Sequence, residues 1–120
     1  MTLKEKTKQF TIQGLDLVNE LGTKNPITRT ISYQLARSSS SVGANYRATL
    51  RARSDREFIS KMNIVLEEID ESLFWMEIIQ EKKLIEENRL SPLMKEANEI
   101  TAMTVSSLKT INKRIKNAKP

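Results

Sequence analysis

Apolar residues recur along this chain at spacings of three and four, with a few polar interruptions, and that pattern predicts four helices. The first covers about residues 3–21, with Phe10, Gly14, Leu17, Val18 and Leu21 on one side and Gly22 as its stop signal. Asn25-Pro26 forces a turn, because the residue before proline is pushed out of the helical region. A second helix over about residues 27–53 places Ile27, Ile31, Leu35, Val42, Tyr46 and Thr49 on its apolar side. Tyr33, Arg37, Ser40, Ala44, Arg47 and Arg51 gather on the opposite side. Ser54-Asp55-Arg56-Glu57 has the spacing of a capping box and opens a third helix, residues 55–82. Its stripe is Phe58, Met62, Val65, Leu66, Ile69, Leu73, Met76 and Ile79. Residues 82–90 read as a loop or frayed end around Asn88. Ser91-Pro92 then opens a fourth helix over residues 92–117, with Leu93, Ala97, Ile100, Thr104, Leu108, Ile111 and Ile115 as its core face. Short connections predict an all-α, antiparallel up-down-up-down bundle forming a single domain over residues 1–120.

Two helices carry more than a core requires. The third sets Ile64, Trp75 and Ile78 among Glu57, Glu67, Glu68 and Glu71 on the side away from its main stripe, which predicts a second packing surface. The second contains Ser38, Ser39, Ser40, Ser41, Gly43 and Ala44, small residues that weaken a helix, glycine by about 1 kcal/mol relative to alanine. Either another helix approaches closely there, or the helix is weak or kinked. Asn45, toward the apolar side, needs amide partners such as Ser41, Thr49 or a carboxylate of the third helix.

Charge sharpens this picture. The net formal charge is +5, and it is unevenly spread. Residues 26–53 hold Arg29, Arg37, Arg47, Arg51 and Arg53 with no acid, and the C-terminal stretch adds Lys109, Lys113, Arg114, Lys116 and Lys119, again with no acid. Residues 54–81 have the reverse balance. The cationic face of the second helix therefore has two candidate partners, a nucleic acid or another copy of the chain.

Composition bounds the chemistry. There is no cysteine and no histidine, which removes thiol catalysis, disulfides, the commonest zinc ligand and the commonest general base. Glu67, Glu68 and Glu71 share a helix face, but di-metal bundles add a Glu-x-x-His motif that is absent here. The serine run has no base placed near it by sequence. A non-enzymatic protein without metal or cofactor is expected. No apolar run has the length of a membrane span and the N-terminus lacks the apolar core of a signal peptide, so a cytoplasmic protein with no membrane partner is expected.

The segment Leu35-Ala-Arg-Ser-Ser-Ser-Ser-Val-Gly-Ala-Asn-Tyr-Arg-Ala48 resembles the signature of the four-helix-bundle proteins encoded in intervening sequences of bacterial 23S ribosomal RNA genes. The resemblance continues through Arg51-Ala-Arg-Ser-Asp-Arg-Glu-Phe-Ile-Ser-Lys-Met62 and Glu67-Glu-Ile-Asp-Glu-Ser-Leu-Phe-Trp-Met-Glu77, about half the chain. Many members carry a Glu-Gly pair after the signature, where Ala48-Thr49 stands here. What the resemblance implies is a cytoplasmic bacterial bundle assembling as a homopentamer. A related group, the accessory variability determinant proteins of diversity-generating retroelements, implies binding to nucleic acid and to a protein partner.

These readings combine into a basic oligomeric bundle that binds RNA or DNA nonspecifically or by structure. The candidate nucleic-acid contacts are Arg37, Arg47, Arg51, Arg53, Lys113 and Lys116. The candidate oligomer interface is Ser40, Gly43, Ala44, Arg47, Glu67, Glu71 and Trp75, with Arg47 or Arg51 of one copy facing Glu67, Glu68 or Glu71 of the next. The alternative is a structural scaffold binding a protein partner, its arginines used between subunits.

Overall fold

The structure, a computed structural model, describes residues 1–118; Lys119 of the basic stretch lies outside the described residues. Among the described residues the fold is all-α, with helices α1 (Leu3–Leu21), α2 (Pro26–Thr49), α3 (Asp55–Glu81) and α4 (Glu87–Ala118) and no strand. α1 lies against α2 and α4, and α3 likewise lies against α2 and α4. The four stripes meet in one core, where Phe10, Leu17, Leu35, Val42, Met62, Ile69, Met76, Ile79, Leu90 and Ile100 are fully buried.

Local signals set most helix ends. Thr2 accepts from the Glu5 amide at 3.2 Å, and Asn25 forms a reciprocal capping box with Thr28 ahead of Pro26. At α3 only half of the expected capping box forms. Ser54 accepts from the Glu57 amide at 3.1 Å, while the Glu57 carboxylate turns to Arg53 at 3.5 Å. α2 stops at Thr49 instead of Arg53: Leu50, Arg51 and Ala52 donate to carbonyls three residues back, tightening the chain out of the α-helix before Ser54 adopts its extended capping conformation.

The largest departure is the start of α4. It begins at Glu87, so Asn88 is helical, Ser91 is not the cap, and Pro92 sits in the second turn. The reason is Leu90, which is fully buried and extends the Leu93-Ala97-Ile100 stripe by one turn. That burial outweighs the one intrahelical bond Pro92 cannot donate, and Pro92 lies on the exposed side. Before it, α3 closes through Lys83, whose φ of 54° is left-handed. The Leu84 amide donates to Ile79 O at 3.0 Å and the Lys83 amide to Gln80 O at 3.1 Å, with Leu84 packed on the core. This is a Schellman closure built without glycine.

The small residues of α2 face inward more than the wheel predicts. Ile27, expected on the apolar side, is 51% exposed, whereas Ser38 and Ser39 are fully buried. The hydroxyls of Ser38 and Ser72 meet at 2.9 Å between α2 and α3. Toward α1, Thr11 Oγ1 donates to Ser39 O at 2.7 Å and accepts from the Gly43 amide at 3.1 Å. A Cβ on Gly14 would lie 2.6 Å from Ser39 Oγ, so both faces of this contact depend on small residues. α2 runs unbroken through the serine run, and the helix-forming deficit is offset by packing within the chain. Asn45 finds its partner locally, donating to Ser41 O at 2.9 Å and Ser41 Oγ at 2.7 Å.

Candidate functional site

Cations far apart in sequence meet at one end of a molecule 58 Å long. Near the end of α4, Arg114 donates to Asp55 at the start of α3 at 2.6 Å. Thr49, Arg53, Ser54 and Phe58 surround a hollow with Ser107, Thr110 and Arg114, so the end of α2, the start of α3 and the last turns of α4 are neighbours. On the other flank, Lys4 and Lys8 of α1 lie across a groove from Ala44 and Arg47 of α2. Within residues 1–8, 47–58 and 109–118 the acids are Glu5, Asp55 and Glu57, far fewer than the lysines and arginines. The result is a cationic cap to which α1, α2 and α4 all contribute.

The candidate residues divide by what holds them. Arg37 is not free: its guanidinium bridges Glu68, at 3.3 Å, and Glu71 of the same chain. Two of the three carboxylates expected to meet a neighbour's arginine, Glu68 and Glu71, therefore already have a partner within the chain. Arg53, 88% exposed along its side chain, reaches only Glu57 among the described residues. Arg47, Arg51, Lys113 and Lys116 are exposed, and among the described residues none has a carboxylate within 4.0 Å. An exposed cation without a carboxylate partner has its hydrogen-bond donors open to an incoming phosphate.

The candidate interface residues are scattered more widely. Gly43 is committed to α1, with Thr7 O and Thr11 against it, and Ser40 and Ala44 border the same groove. Glu67 is exposed. Trp75 is half-buried against the core, its ring edge-on to Phe74 at 5.0 Å, and its Nε1 is buried with no partner among the described residues. Phe74, 50% exposed, is the residue the wheel passed over, and its aromatic ring offers the larger outward apolar surface.

Elsewhere the helices are clamped by ion pairs. Lys6 bridges Glu96 at 2.8 Å and Glu99 at 3.1 Å, joining α1 to α4, and Arg89 meets Glu20 at 2.7 Å. The hydrogen bonds to Glu96 and Glu99 hold the Lys6 ammonium above its ordinary value, and the same contact holds Glu99 below the usual carboxylate range. Burial raises the Tyr46 phenol. Among the described residues no three acidic side chains converge to hold a metal ion, and no helix is long and apolar enough to cross a membrane.

Sequence reasoning missed Lys4 and Lys8. Their spacing of four puts them on one side of α1, away from Lys6, and that was the signal available. Their pairing with Arg47 needed the tertiary fold.

The family described as 23S rRNA-intervening sequence protein matches residues 2–106. A crystal structure of a protein of unknown function from the S23 ribosomal protein family of Bacteroides thetaiotaomicron is similar throughout, with 29% identity and a TM-score of 0.84. The match covers 90% of this chain and 99% of that one. No curated protein sequence matches.

Proposed function

This chain belongs to the 23S rRNA-intervening sequence protein family, and we propose that it is a non-enzymatic, homo-oligomeric bundle whose cationic end binds RNA or DNA through backbone phosphates. The observation that carries the reading is the set of exposed cations without carboxylate partners among the described residues, Arg47, Arg51, Lys113 and Lys116, drawn from α2, the turn that follows it and α4. Such a surface attracts phosphate irrespective of base sequence, so binding is nonspecific or follows nucleic-acid shape. The contacts of Thr11 with Gly43 and Gly22 with Ser32 between α1 and α2, of Ser38 with Ser72 between α2 and α3, and of Gln80 with Glu87 and Asp55 with Arg114 between α3 and α4 support an antiparallel up-down-up-down order. The assembly proposed is a pentamer in the cytoplasm, in which five chains of +5 would multiply the field.

A second reading, a scaffold for protein partners, is favoured by one observation. Phe74 and Ile27 are half exposed on α3 and α2, a poor arrangement for a solitary bundle. Two variants separate the readings. In a gel-shift assay with a structured RNA, Arg47→Glu with Arg51→Glu abolishes the shifted band if the cationic end binds nucleic acid, while Phe74→Glu lowers the native mass. A scaffold without nucleic-acid affinity gives no shifted band for any form.

A further inference from the structure

We infer that the groove between the N-terminal half of α1 and the C-terminal half of α2 is a phosphate-binding site, with Lys4 and Lys8 on one bank and Arg47 on the other, that seats the backbone of a nucleic acid. The inference rests on the nucleic-acid reading above and assigns it a place.

The groove follows from how α1 and α2 pack. Gly43 lies so close to Thr11 that the helices meet along small residues, and Ser40, Gly43 and Ala44 then leave a trough of about 430 Å³ beside the contact. Lys4 and Lys8, one turn apart, line one side, and Arg47 in the last turn of α2 lines the other. Among the described residues no acidic side chain lines the groove. Among the described residues none of the three cations has a carboxylate within 4.0 Å.

Charge and shape together select the occupant. Two other hollows carry acids, Asp55 in one and Glu20 and Glu86 in the other, and in each an arginine is already paired: Arg114 with Asp55, Arg89 with Glu20. The α1–α2 groove combines three unpaired cations with a floor of small residues that lets a bulky anion approach the helix backbones. Lys4 also lies in the first turn of α1, where the helix dipole favours negative charge. Tyr46 also lines the groove and adds no negative charge to it. An acidic peptide would need donors spaced for carboxylates along its length. Three cations converging on one trough suit a phosphodiester, which presents its charge at one point and continues out of both ends.

The test uses the full-length protein and a fluorescein-labelled structured RNA, followed by anisotropy over a salt series. The variants are Lys4→Gln/Lys8→Gln/Arg47→Gln, Ala44→Glu, and Lys113→Gln/Lys116→Gln, each checked for retained helicity by circular dichroism. The expected result is that the first variant flattens the log affinity against log salt slope by about 2 to 3, roughly one unit per cation removed. Ala44→Glu, which leaves all three cations in place but puts an acid in the trough, weakens binding as well. Competition by inorganic phosphate at millimolar concentration with RNA still favoured identifies the backbone as the ligand; phosphate binding equally well to the first variant overturns the site. If wild-type protein binds RNA and only Lys113→Gln/Lys116→Gln loses it, the groove is refuted and the nucleic-acid reading survives. If wild-type protein binds no nucleic acid at low salt, both fall.

Discussion

Thr11 and Gly43 hold α1 and α2 at a separation that admits no side chain at position 43. The Gly43 amide donates to Thr11 Oγ1 at 3.1 Å, and a Cβ placed on Gly43 would lie 2.5 Å from that oxygen and 3.3 Å from the Thr7 carbonyl. Gly43→Ala gains about 1 kcal/mol of helix propensity but forces Thr11 from a hydroxyl position that also serves Ser39 O. The clash outweighs the gain, and Gly43→Ala is expected to destabilise by about 1 to 3 kcal/mol. Chemical denaturation of Gly43→Ala, Thr11→Ala and the double variant checks this. The double variant should be more stable than the sum of the singles predicts.

Arg37 and Arg51 should part company. Because Arg37 is occupied by Glu68 and Glu71, Arg37→Ala is expected to leave nucleic-acid affinity within about twofold while lowering stability by no more than about 1 kcal/mol, the range of exposed ion pairs. Arg51 has no carboxylate within 4.0 Å among the described residues, and Arg51→Glu should reduce affinity in the same anisotropy assay. Equal losses for the two would contradict the assignment of Arg37 to the intrachain pair.

The Lys6 clamp predicts a pH dependence of stability with two limbs. Glu99 is held below its ordinary value by Lys6, so its contribution is present at neutral pH and is lost as pH falls through the depressed folded value. Lys6 is held above its ordinary value by Glu96 and Glu99, so its contribution persists below the ordinary lysine value and is lost as pH rises through the raised folded value. Thermal melts should show a plateau from about pH 5 to about pH 10. Lys6→Met should lower Tm on that plateau and reduce the further loss on acidification.

Lys83 closes α3 in a left-handed conformation that costs a non-glycine residue about 1 to 2 kcal/mol. Lys83→Gly relieves that strain at some cost in unfolded-chain entropy, and a gain of roughly 0.5 to 1 kcal/mol is expected. Urea denaturation with an unchanged m-value checks it; a loss of stability would mean that the Lys83 side chain makes compensating contacts.

The helices themselves were legible because their stripes are long and regular, and α3 above all reads as amphipathic without help from context. Boundaries were harder where burial competes with local signals. Ser91-Pro92 is a strong start signal, and only the depth of Leu90 in the core overrides it. The run of small residues left a close helix approach and a weak helix both open, and the fold resolves it: Ser38 meets Ser72 of α3 and Ser39 lies against Gly14 of α1. Among the site residues, the arginines of α2 and lysines of α4 stood out as charge without acid, but their gathering at one end depends on how the helices meet. The fate of Arg37 was illegible for the same reason: Glu68 and Glu71 lie more than thirty residues away in sequence.

The central claim is that the cationic end meets phosphates, and the most direct measurement is the affinity of wild-type protein for a structured RNA and a duplex DNA of equal length across a salt series. The account predicts binding to at least one probe, with log affinity falling linearly against log salt and a slope of several units, about 0.9 per phosphate neutralised on a duplex. Absence of binding at low salt, or affinity indifferent to salt, would contradict it.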